Sequence, residues 1–149
     1  MAKDLSVSPE SLLKLDNQLC FPLYALSRLV TKAYQPYLQD LDLTYPQYLV
    51  MLALWEHQEL TVKALGEKLL LDSGTLTPLL KRMEQRHLLS RTRDPHDERS
   101  VKVALLPAGQ DLRAKACEVP QQMLHKIQLS PVAAESLRTQ LQQLISVLT

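Results

Sequence analysis

Leu12, Leu15, Leu19, Leu23, Leu26 and Val30 recur at steps of three and four, which predicts an amphipathic helix from about Ser11 to Leu38. Pro22 falls within this stripe and is expected to kink the helix just after Cys20, because proline removes one helical hydrogen bond. Pro36 is expected to mark its end region. A second helix is predicted from Pro46, capped by Thr44, and carries Tyr48, Leu49, Leu52 and Trp55. A short third follows a capping Thr61 and reaches about Lys68. A fourth starts after Asp72 or Ser73 and runs to about Arg86, with Leu76, Leu79, Leu80 and Met83 inward.

The pattern then changes. Leu88 to Thr92 reads as a short strand, Arg93 to Arg99 as a polar hairpin tip, and Ser100 to Leu105 as a strand that alternates apolar and polar residues. Helix returns from about Ala108. Leu137, Leu141, Leu144, Ile145 and Leu148 form a closing apolar stripe. The fold class expected is therefore mainly α with a small β-hairpin. A long amphipathic helix at each end, over 11–40 and 108–149, has no large partner within so short a chain. Burial against a second copy resolves this, with the two helices packing on one another in a monomer as the alternative.

Composition sharpens the picture. Of 149 residues, 46% are apolar and 22% charged, a soluble globular composition that suits one domain over 1–149. No run approaches the roughly 18 apolar residues of a membrane span. The opening Met1 to Ser11 lacks an apolar core of the secretory kind, so a cytoplasmic location is expected. Net charge is only +1, yet residues 61–102 hold 9 basic and 6 acidic side chains, whereas residues 1–60 hold 4 and 7. A local basic patch can steer phosphates even when the whole chain is near neutral. His57, His87, His96 and His125 are scattered, so no metal site and no cofactor are expected.

Residues 61–86 have helix-turn-helix form. The second helix opens Ser73-Gly74-Thr75-Leu76-Thr77, small residues that let a backbone approach a base-pair edge. Lys81, Arg82 and Arg86 follow at spacings that reach a DNA backbone. Taken alone, this is equally a capped surface helix with a solvated basic face. The hairpin adds Arg91, Arg93, Arg99 and Lys102. Asp97 and Arg99 are two apart, so the aspartate is expected to hold the arginine in a pose suited to a minor groove.

Together, Asp94-Pro95-His96-Asp97-Glu98-Arg99-Ser100-Val101 and Leu105-Leu106-Pro107-Ala108-Gly109 resemble the MarR-type regulators, which usually have threonine where Pro107 stands. The resemblance implies a winged helix-turn-helix core over 61–109, a homodimer and a pseudo-palindromic double-stranded operator. The stretch Leu15-Asp16-Asn17-Gln18-Leu19-Cys20-Phe21-Pro22-Leu23-Tyr24 resembles more narrowly the organic-hydroperoxide-sensing OhrR branch of that family. So do Leu43 to Tyr48 and Leu71 to Glu84. Within that branch Cys20 corresponds to the sensing cysteine. Tyr34 and Tyr45 match the tyrosines that bond it from the partner subunit, and Tyr24 stands one turn away.

The chemistry fits these residue types. A thiolate attacks the peroxide O–O bond and becomes a sulfenic acid. A helix N-terminus and nearby hydrogen-bond donors favour the thiolate. Leu19, Phe21 and Trp55 are expected to supply an apolar pocket that prefers an alkyl tail. Without the surrounding motif, a lone cysteine on an apolar helix is more often buried and inert. Cys117 has two readings, a bystander or the thiol that resolves an oxidised Cys20 across the dimer. The leading function is a repressor released from DNA by oxidation of Cys20. The rivals are a regulator released by a bound aromatic acid and a thiol peroxidase. The second is disfavoured because the chain lacks both a CxxC and a thioredoxin-like βαβ pattern.

Overall fold

A computed structural model describes residues 8–149, so the reading of the opening segment lies largely outside the described residues. Helix predominates. The elements in order are α1 (Pro9–Leu12), a 3₁₀ turn (Leu15–Asn17), α2 (Cys20–Gln39), α3 (Tyr45–His57), β1 (Glu59–Thr61), α4 (Val62–Leu69) and α5 (Ser73–Gln85). Then come β2 (Leu89–Asp94), β3 (Asp97–Leu105), α6 (Pro107–Ala116), α7 (Val119–Ile127) and α8 (Pro131–Leu148). The chain forms two compact units, one ending at Tyr34 and one from Gln35 to Thr149. Among the described residues no helix is long and apolar enough to cross a membrane.

The first unit departs from the single helix expected there. The chain breaks after Leu12, and Gln18 donates its side-chain amide to the Lys14 carbonyl at 3.1 Å, which holds the turn before α2. Cys20 is therefore the first residue of α2, and Pro22 the third. A first-turn proline has no helical acceptor to lose, so Pro22 helps to start α2 and does not kink it. Pro36 stands inside α2, which continues to Gln39.

In the second unit, caps set the helix starts. Thr44 and Gln47 form a reciprocal capping box at α3, and Thr61 Oγ1 accepts from the Ala64 N–H at 3.0 Å at α4. The apolar sides of α3, α4 and α5 meet in a core that includes Met51, Leu54, Leu65, Leu76, Leu80 and Met83. Val103 and Leu89 close it from the sheet. That sheet has three strands in the order β1-β3-β2, all antiparallel. β1 is the strand that the hydrophobic pattern missed, since three residues are too few to show alternation. β2 and β3 also run further than expected, leaving a two-residue tip, Pro95-His96, where a longer polar tip was expected. Gly109 lets α6 dock: a Cβ there would run into the Leu88 carbonyl, and its own carbonyl accepts the Trp55 indole N–H at 2.9 Å.

Candidate functional site

Two sites emerge, one on α5 with the β2–β3 hairpin and one at the start of α2. Asp72 caps α5. Its Oδ1 accepts from the Thr75 N–H at 2.8 Å, and the Thr75 hydroxyl donates to Oδ2 at 3.3 Å. These bonds favour the carboxylate and hold the Asp72 pKa below its ordinary value. The Thr75 hydroxyl is thus engaged at the cap, while Ser73, Gly74, Thr77, Lys81 and Arg82 are exposed along the helix. Pro78 and Gln85 share that exposed side and were not singled out from the sequence. The signal was present: a stripe of Leu76, Leu80 and Met83 facing inward turns residues 74, 78, 81 and 85 outward.

Arg86 is placed differently from expectation. It is the C-cap of α5, and its guanidinium pairs with Asp42 Oδ2 at 3.1 Å and also donates to the Asp42 carbonyl. The spacing that suggested a phosphate contact instead brings Arg86 to the turn before α3. Arg91 is likewise engaged. Its Nε and Nη2 donate to Glu84 Oε2 at 3.1 and 2.9 Å, and its backbone N–H donates to Oε1 at 3.0 Å. The Arg91 bonds hold the Glu84 carboxyl below its usual range. This fork fastens the end of α5 to the base of the hairpin.

At the hairpin, Asp97 does not clasp the Arg99 guanidinium as expected. Its Oδ1 accepts from the Arg99 backbone N–H at 3.1 Å, and Asp94 Oδ1 accepts likewise from His96 at 2.9 Å. Two carboxylates thus shape the tip backbone, and Arg99 is left exposed. A groove of about 620 Å³ runs between α4, α5 and the sheet, with Lys63, Thr77, Arg91 and Arg99 among its lining.

At the second site Cys20 is an exposed free thiol that opens α2, where backbone N–H groups lack helical acceptors. Leu19 and Phe21 flank it and are exposed. Tyr24 lies one turn on, with Arg28 stacked 4.9 Å above its ring. Tyr34 stands fourteen positions along the same helix, roughly 21 Å away at 1.5 Å of rise per residue. Tyr45 begins α3, and burial pushes its pKa up. Trp55 belongs to the second unit, where it and Cys117 line a cavity of about 310 Å³ with Tyr48, Leu52 and Arg113. Cys117 is exposed at the end of α6, and its thiol donates to the Arg113 carbonyl at 3.2 Å.

A helix-turn-helix followed by a β-hairpin, with exposed small and basic residues along its second helix, defines a winged-helix DNA-binding protein. The MarR family model matches residues 43–101. The organic hydroperoxide resistance transcriptional regulator of Bacillus subtilis is 52% identical over 136 residues, covering 91% of this chain and 92% of that protein. The chain belongs to the MarR family. A solved structure of reduced AbfR bound to DNA superposes with a TM-score of 0.78 at 34% identity, covering 95% of this chain and 99% of that one. Disulfide-formed AbfR gives a TM-score of 0.65 at 37% identity, over 91% and 96% of the two chains. AbfR is a protein of Staphylococcus epidermidis.

Proposed function

We propose that this chain is a homodimeric, cytoplasmic transcriptional repressor that binds a pseudo-palindromic operator and releases it when an organic hydroperoxide oxidises Cys20. The observation that carries this reading is the exposed Cys20 at the first residue of α2, in a chain 52% identical to a hydroperoxide-resistance regulator. The Cys20 thiolate attacks one peroxide oxygen, the O–O bond breaks, and the alkoxide leaves to take a proton as an alcohol. Sulfur loses two electrons and becomes a sulfenic acid. The reaction is stoichiometric, a signal and not a turnover.

DNA recognition falls to α5 in the major groove, with Ser73, Gly74, Thr77, Lys81 and Arg82 on its exposed side and the β2–β3 hairpin carrying Arg99 toward the minor groove. The dimer completes the thiol site. A hydroxyl roughly 21 Å along the same helix cannot bond Cys20, so Tyr34 reaches it only from a second α2 that runs the opposite way. Exposed Leu23, Leu26 and Leu29 on α2, and Leu137, Leu144 and Ile145 on α8, supply the apolar surface for that pairing.

The deciding experiment replaces Cys20 by Ser and measures operator binding before and after one equivalent of cumene hydroperoxide. The parent should release the DNA and Cys20→Ser should hold it. A variant that still dissociates would transfer the trigger from Cys20 to another group or to a bound ligand.

A further inference from the structure

The buried side of α5 carries Leu76, Leu79, Leu80 and Met83. At 100° per residue the opposite direction is centred on residues 74, 78, 81 and 85. Pro78 is exposed there, the one apolar side chain on the outward side of α5. Its position is costly. It is the sixth residue of the helix and has no N–H to give the Gly74 carbonyl, so it is among the most destabilising residues a helix interior can hold. The residue whose carbonyl the ring would meet is a glycine, the backbone best able to lean aside. Pro78 is exposed and not among the buried core residues, and alanine at this position would make a stronger helix. A residue that weakens its helix without packing into the fold, at the middle of the side turned outward, points to contact with something outside the chain.

The major groove offers one apolar feature among its base edges, the C5-methyl of thymine. A rigid ring with neither donor nor acceptor complements that methyl. It also penalises the exocyclic amino groups of cytosine and adenine, which would lose water and gain no hydrogen bond. We propose that Pro78 is a specificity-determining residue whose ring packs on a thymine methyl in each half-site. Thr77 and Lys81 beside it bond polar edges and phosphates, so Pro78 sets which base is accepted at one position while its neighbours set affinity. This rests on the reading that α5 enters the major groove.

The test begins with a duplex selected by the reduced parent protein from a random pool. Each thymine is then replaced by deoxyuridine, symmetrically in both half-sites, at one fixed salt concentration. This removes only the methyl group. At one position the parent should lose about fourfold in affinity per half-site, the value of one buried methyl group. Pro78→Gln restores the missing N–H and should fold at least as stably, as thermal unfolding will report. In that variant the deoxyuridine penalty at the same position should vanish. A parent with no penalty at any thymine, or a penalty of equal size in Pro78→Gln, would overturn the proposal. A parent that selects no sequence at all would overturn the DNA-reading function beneath it, a separate and recognisable failure.

Discussion

A phenol hydroxyl donates a hydrogen bond only while it keeps its proton. Burial raises the Tyr45 pKa, so that residue remains a donor throughout the range in which a thiol ionises. Each donor to a thiolate is worth about 1.5 kcal/mol, the lower end for hydrogen bonds to charged groups. Tyr45→Phe and Tyr34→Phe should therefore each slow oxidation of Cys20 by about tenfold in stopped-flow measurements, with DNA affinity of the reduced protein unchanged. Parent-like rates in both variants would remove the tyrosines from the thiol site. At this scale the sequence was readable where the partner is near in the chain. Thr44 and Thr61 cap as their spacing implies, because a cap bonds an N–H three residues on. It was less readable at Asp97, where spacing alone does not say whether a carboxylate takes a guanidinium or a backbone N–H.

Between elements, Glu84 and Arg91 join α5 to β2 through three hydrogen bonds on one carboxylate. The Glu84 pKa lies below its ordinary value of 4.5, so the folded state favours the charged form. Its stabilising contribution is complete above that value. It is lost as the pH falls through the lower folded pKa, where both states are protonated. Glu84→Gln should accordingly lower the unfolding temperature at pH 7, and the gap from the parent should close in melts run at progressively more acidic pH below 4.5. A gap independent of pH would mean that the pair acts through shape and not charge. The same fork holds the hairpin against the end of the reading helix, so Glu84→Gln should also weaken operator binding modestly.

For the whole molecule, the open question is the fate of the sulfenic acid. Cys117 is exposed and follows α6. Attack by its thiolate on the Cys20 sulfenic acid of a partner subunit would form an S–S bond and release water. Hydroperoxide treatment should then yield a covalent dimer on a non-reducing gel, and Cys117→Ser should abolish that band. In that variant Cys20 should over-oxidise or accept a small thiol, read as a mass increase on the intact chain. A monomer-sized band from the oxidised parent would leave Cys117 as a bystander.

Helix periodicity, caps and the hairpin alternation were set by the sequence, since each depends on residues within a turn or two of one another. The helical class, the hairpin and the inner side of α5 follow from such local rules, whereas the winged core was what the resemblance to the MarR-type regulators implied. Tertiary structure alone decided the rest. The short strand β1 exists only because β3 pairs with it, Glu59 opposite Ala104. Arg86 meets Asp42 and Arg91 meets Glu84 because folding brought a carboxylate to each from a distant element or from across the α5–β2 turn, pairings that no local pattern records. Likewise Pro22, which looked like a kink in a long helix, became part of a helix start once the turn at Leu15–Asn17 ended the preceding segment. Long-range pairing costs chain entropy that no local pattern records, so it becomes visible only when the chain is folded.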